Sequence, residues 1–115
     1  MTYNRGDVVL VLFPDSNLKT AKRRPALVVQ RNDLHSGIPQ TIVAMITSNL
    51  SRAGHPSRIS IEISSPQAVE CGLRTDSVLM TDNLATIFET EIDRKIGAWK
   101  HMEAVDTALR HTLQL

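Results

Sequence analysis

Cysteine is nearly absent from the 115 residues: Cys71 stands alone, so no intrachain disulfide can form, and a buried small hydrophobe in a reducing compartment is the natural reading. Aromatics are scarce too. Tyr3, Phe13, Phe88 and Trp99 are the whole set, which makes the expected core aliphatic and removes the stacking platforms on which many single-strand binders rely. No run approaches the roughly 18 apolar residues of a membrane span, and the N-terminus carries Asn4, Arg5 and Asp7 before any apolar stretch, so no membrane partner and a cytoplasmic location are expected. The five glycines form neither a phosphate-cradling loop nor a nucleophile elbow. His35, His55, His101 and His111 are dispersed without metal-ligand spacing, so no metal and no cofactor are expected.

What is present suits one small β-rich domain over residues 1–115, a length that buries roughly two thirds of the unfolded surface. Asp7 to Phe13 is a short apolar run closed by Pro14, which reads as a strand buried on both faces. The polar stretch from Asp15 to Arg23 reads as an exposed loop, and a strand resumes over 24–30, with Pro25 tolerable only near its start or on an edge. Further strands are expected over 41–47, over 58–63 with strict polar/apolar alternation, over 77–81 and over 94–99. Ser65-Pro66 predicts a capped helical turn ending at Gly72. Met102, Val105, Leu109 and Leu113 place one apolar face on a terminal helix. The fold class is therefore mainly β, an α+β chain forming a small antiparallel barrel or strongly curved sheet with a C-terminal helix.

The charge of +1 is unevenly spread. Through Arg58 the chain sums to +5, and beyond it to −4, which suggests one face for a polyanion and a more acidic remainder. Lys19, Lys22, Arg23 and Arg24 make the densest basic segment and the first candidate for gripping nucleic acid. Taken singly, these side chains also fit a solvated loop, Arg24 a surface ion pair and Thr47 an ordinary strand hydroxyl. His35 and His55 could supply an acid/base pair by reach alone, and Trp99 fits core or interface better than base stacking.

Three segments recur as a pattern: Arg5-Gly6-Asp7-Val8-Val9-Leu10-Val11, Lys22-Arg23-Arg24-Pro25-Ala26-Leu27-Val28-Val29 and Ala44-Met45-Ile46-Thr47-Ser48. With Asn32-Asp33-Leu34, Pro39-Gln40-Thr41-Ile42-Val43, Gly72-Leu73, Ser77-Val78-Leu79, Asp82-Asn83-Leu84 and Ile96-Gly97, their order and spacing resemble the PemK/MazF-like toxins, the mRNA interferases of type II toxin–antitoxin systems. The resemblance implies a homodimer of SH3-like barrels that cleaves single-stranded RNA without metal, leaving a cyclic phosphate and a 5′-hydroxyl. It places the catalytic arginine of an Arg-Pro motif on Arg24, the catalytic threonine on Thr47 and an acidic residue, a base or RNA contact, on Asp82. Lys19, Lys22, Arg23, Ser48 and Asn49 are read beside them as RNA-binding. Some relatives carry an arginine where this chain has Met80.

Arg24 suits stabilisation of a phosphorane, because a planar guanidinium can hold two phosphoryl oxygens. As a neutral base it is expensive: with a reference pKa of about 12.5, deprotonation at pH 7 costs about 7.5 kcal/mol. The resemblance also implies a cognate antitoxin whose disordered, acidic segment blocks the RNA groove, and operator DNA bound through the antitoxin complex. Two alternatives stay open: a gyrase-targeting toxin of the same fold, for which the Thr112-Leu113-Gln114-Leu115 end lacks the tryptophan such proteins use, and a binding module without chemistry.

Overall fold

Apolar residues on both sides of one strand demand cover on both faces, and the first strand sets that requirement for the whole sheet. In β1 (Asp7–Pro14), Val8, Val9 and Val11 are all fully buried although neighbouring side chains point in opposite directions. The computed structural model describes residues 3–14 and 19–115. Within it lie β2 (Ala21–Val28), β3 (Gln40–Thr47), β4 (Arg58–Ile61), helix α1 (Pro66–Cys71), β5 (Ser77–Phe88), β6 (Ile92–Ala98) and helix α2 (Met102–Leu113).

The strands form one antiparallel sheet in the order β4-β5-β3-β2-β1-β6. Its outer strands do not pair with each other, so the curved sheet stays open and is not a closed barrel. One core layer joins Val8, Leu27, Ala44, Ile46 and Leu79 to Ala68 and Cys71 of α1, Val105 of α2 and Trp99. The opposite layer holds Val9, Val11, Ala26, Val28, Val43, Met45, Ile87 and Ile92. Trp99 is accordingly a core residue, its indole N–H donating to the His101 carbonyl at 2.9 Å.

Local signals account for the helices. The Ser65 hydroxyl accepts from the Ala68 amide, Pro66 takes the first helical position, and Gly72 closes α1 in the left-handed region. Two glycines then let α1 touch β6 backbone to backbone: a Cβ on Gly72 would lie 2.2 Å from the Ile96 carbonyl oxygen, and one on Gly97 2.2 Å from that of Glu70. A buried hydroxyl cluster fastens the end of α2, where Thr112 bonds Ser57 at 2.7 Å and Thr81 at 2.8 Å.

Strand boundaries depart from expectation where polarity hides pairing. β2 begins at Ala21, three residues before Arg24, because 21–23 pair with 12–14 of β1 in an arm wet enough to carry Lys22 and Arg23. Only Lys19 and Thr20, among the described residues between the strands, stay outside them; 15–18 of the expected loop lie outside the described residues. β5 continues past Thr81 to Phe88, since the register shift between Ala44 and Met45 of β3 absorbs Thr81, Asp82 and Asn83 as an interruption within one strand. β4 is shorter than its alternation suggests and ends at Ile61.

Candidate nucleic-acid interface

Pairing between β2 and β3 stops at Ala26 and Met45. Continued two residues further, the same antiparallel register sets Arg24 across from Thr47 where the strands part. Pro25 pairs with Leu10 of β1 but falls in the half of β2 that makes no ladder to β3.

Two clefts meet at this point, and Arg24 and Thr47 line both. The larger, about 450 Å³, has a floor drawn from one cross-strand row: Arg94 and Pro25 both face Leu10 in the register, and Ile46 continues the row. Its walls carry Lys22, Arg23, Ser48, Arg74 and Thr75. The second, about 430 Å³, is lined by Met45, Asn49, Arg52, Met80 and Asn83. Arg24 and Thr47 thus stand on a ridge with a hollow on each side. Every ionisable side chain lining either cleft is cationic. Low-dielectric walls of one sign concentrate an anionic ligand.

Local bonds orient the ridge. The Thr47 hydroxyl oxygen accepts the Asn49 amide N–H at 3.1 Å, which leaves its own proton available to a ligand. Asn49 caps the short 3-10 turn Leu50–Arg52, its side-chain carbonyl accepting from the Ser51 amide at 3.2 Å and the Ser51 hydroxyl at 2.7 Å. The Asn49 NH₂ has no hydrogen-bond partner among the described residues. Arg24 has no ion-pair partner among the described residues, whereas Arg23 meets Asp93 at 3.3 Å.

Asp82 sits apart from both clefts. Arg58 grips its carboxylate through two nitrogens, at 2.7 and 3.3 Å, and also donates to the Arg52 carbonyl. The hydrogen bond from Arg58 lowers the Asp82 pKa and raises that of Arg58, so the carboxylate is a weaker base than an ordinary aspartate. Its neighbour Asn83 is the residue that reaches the second cleft.

Of the residues singled out from sequence, Arg24, Thr47, Lys22, Arg23, Ser48 and Asn49 are gathered around the ridge, while Lys19 lines neither cleft. The histidines are not brought together there: His35 lines a separate hollow beside Leu34 and Ile38, and His55 accepts the Ser57 amide and meets the His111 ring edge-on. Burial, and secondarily Glu70, push the Cys71 thiol up to about 11, so it is protonated at neutral pH and a poor nucleophile. Among the described residues no three His, Cys, Asp or Glu side chains cluster as metal ligands, and no helix is long and apolar enough to cross a membrane.

Sequence reasoning passed over Arg74 and Arg94. Both belong to the acidic half of the chain; the β1–β6 pairing carries Arg94 to the cleft opposite Leu10, and the α1–β6 contact carries Arg74.

Known proteins share the sequence pattern and the fold. The chain is 33% identical over 107 residues to Endoribonuclease MazF2 of Mycobacterium bovis, with 90% of each chain covered. It is 31% identical over 118 residues to Endoribonuclease EndoA of Bacillus subtilis, covering 100% of this chain and 97% of that one. Among solved structures, Mycobacterium tuberculosis toxin MazF-mt6 shares the fold with a TM-score of 0.74 at 22% identity, covering 95% of this chain and 97% of that one. An endoribonuclease from a mycobacterial species, solved in complex with its cognate antitoxin, gives 0.74 at 21%, covering 99% and 97%. The family model of the PemK-like, MazF-like toxins of type II toxin–antitoxin systems matches residues 4–113, and the chain belongs to that family.

Proposed function

We propose that this toxin is an endoribonuclease that cuts single-stranded mRNA by metal-independent transesterification at the Arg24–Thr47 ridge. The 2′-hydroxyl attacks the adjacent phosphorus as its proton passes to solvent water, the P–O5′ bond breaks as O5′ takes a proton from solvent water, and a 2′,3′-cyclic phosphate and a 5′-hydroxyl result. Arg24 neutralises the charge that builds on the phosphorane oxygens, and Thr47 donates its free hydroxyl proton to one of them. The observation that carries the reading is that a guanidinium without a carboxylate partner among the described residues and a hydroxyl already oriented by Asn49 share two flanking hollows. A strand of RNA crossing the ridge sets its scissile phosphate there and one nucleoside on each side.

Lys22, Arg23, Ser48 and Asn49 hold the strand, and Lys19 adds long-range attraction only. Asp82 takes a supporting task, holding Arg58 and the interrupted stretch of β5 beside Asn83, because its gripped carboxylate is a poor proton acceptor. The gyrase-directed alternative is not favoured, since the matched relatives are named endoribonucleases.

Mapping of product ends with an RNA carrying a single 2′-deoxy nucleotide at the cut site tests the chemistry. Cleavage is expected to stop at that nucleotide alone and to leave 5′-hydroxyl ends elsewhere. Cutting that ignores the 2′-deoxy substitution would overturn the mechanism.

The expected partners follow from the same reading. A cytoplasmic antitoxin with an acidic segment would compete with RNA for the cationic cleft and carry operator DNA binding, as one solved relative is a complex with its cognate antitoxin. A homodimer would form through the apolar end of the sheet, where Leu34, Ile38 and Phe88 are exposed, and Ile38→Asp is expected to yield a monomer in sedimentation. A dimer that survives this substitution places the contact elsewhere.

A further inference from the structure

Arg74 and Arg94 stand in the larger cleft with no task in the scission step. Neither has an ion-pair partner among the described residues, and both are exposed. They reach the same hollow from separate directions: Arg74 follows the α1 cap at Gly72, and Arg94 lies two residues before Ile96, on the same face of β6. The bare backbone contacts of Gly72 on Ile96 and Gly97 on Glu70 fix these two supports against each other. Between them and Arg24 lies an apolar floor of Leu10, Pro25, Ile46, Leu73 and Ile96.

A surface with cations at both ends and hydrocarbon between them matches the alternation of phosphate, nucleoside and phosphate in a single strand. We propose that Arg74 and Arg94 bind the RNA phosphate one nucleotide away from the scissile one, with the intervening nucleoside lying on the apolar floor. The assignment rests on the proposed ribonuclease reading, since it uses the scissile phosphate at Arg24 as its reference point. It makes the larger cleft a site for one defined nucleotide rather than a general basic surface. The second cleft, with Met45, Met80 and the side-chain amides of Asn49 and Asn83, has no comparable pair of cations at its far end.

The test is a short single-stranded RNA, made uncleavable by one 2′-deoxy nucleotide, in which each phosphate in turn is replaced by a neutral methylphosphonate. Binding is read by fluorescence anisotropy for the wild type and for the Arg74→Gln/Arg94→Gln double variant, with unfolding curves confirming that both are folded. In the wild type, neutralising one phosphate adjacent to the scissile position is expected to weaken binding about tenfold, the size of a charge-assisted hydrogen bond. The double variant should lose sensitivity at that position alone, and its dependence of log affinity on log salt should flatten by about 0.7, one phosphate's share for a single strand. If the double variant keeps the wild-type pattern, or loses affinity evenly at all positions, the phosphate site is refuted. Wild-type protein that shows the positional pattern but leaves a natural RNA intact would refute the ribonuclease reading and support the phosphate site. Wild type that cleaves while the pattern fails would refute only the site.

Discussion

Arg58 and Arg24 lie on one sheet, on β4 and β2 with β5 and β3 between them, and solve the same electrostatic problem differently. Arg58 is satisfied within the chain, holding Asp82 through two nitrogens and the Arg52 carbonyl through a third. Arg24 shares its cleft with Lys22, Arg23, Arg74 and Arg94, and no carboxylate lines it. A lone cation on an open surface is unremarkable, and the chain has others. Convergence is what differs. Arg23 is held by Asp93, and the other four basic side chains lining the hollow, none with an ion-pair partner among the described residues, repel one another in the free protein, a repulsion that an anionic ligand relieves. The satisfied arginine marks where the fold is complete, and the converging ones mark where a ligand completes it.

Removing the reactive member of the open cluster should have the largest effect. Arg24→Ala is expected to slow single-turnover RNA cleavage about 10²- to 10³-fold, the range for losing one oxyanion donor, while thermal unfolding stays close to wild type because the side chain is exposed. Unfolding well below the wild-type temperature would instead make Arg24 structural. Thr47→Val keeps the strand shape but removes the hydroxyl, and a loss of about tenfold or more is expected in the same assay. It also deprives the Asn49 amide of its acceptor, so Thr47→Ser serves as the control that should restore most of the rate.

Gly97→Ala attacks the scaffold of the cluster. The new methyl would overlap the Glu70 and Cys71 backbone, with a cost of about 1–3 kcal/mol by denaturant titration and a weaker grip on RNA as Arg74 moves from Arg94. Unchanged stability would mean that α1 and β6 are not in contact.

The smallest effect is expected on the satisfied side. Asp82 has its pKa lowered by Arg58, so the ion pair contributes stability that is fully present above the ordinary carboxylate range and is lost as pH falls through the lowered folded value. Comparison of wild type with Asp82→Asn should therefore show a modest stability difference near pH 6 that closes below about pH 4, the ordinary carboxylate range. A cleavage loss as large as that of Arg24→Ala would return Asp82 to the chemistry.

Much of this was legible in the chain itself. Apolar runs located the strands, Ser65, Pro66 and Gly72 bounded α1, and the family resemblance singled out Arg24 and Thr47. Thr47 does end β3, but Arg24 lies inside β2 rather than at its start, and the continued register sets the two across from each other. Two things were not legible. Ala21 to Arg23 look like a loop because they are polar and exposed although they pair with residues 12–14, and Asp82 and Asn83 hide the continuation of β5 because they fall in its register shift and pair with no strand. Charge summed along the chain also misled, since Arg74 and Arg94 come from the acidic half and reach the basic cleft through a glycine contact between α1 and β6 and through the β1–β6 pairing, respectively. A contact made by missing side chains leaves little pattern to read. Asp82 shows the converse: its type suits a base, and only its partner Arg58 reveals why it is a poor one.

The central claim is that protein cations alone serve the scissile phosphate. Its most direct test is the single-turnover rate on one single-stranded RNA, measured with and without excess chelator. The expected result is the same rate and the same cyclic-phosphate product in both. Cleavage that stops with chelator and returns with a divalent cation would contradict it.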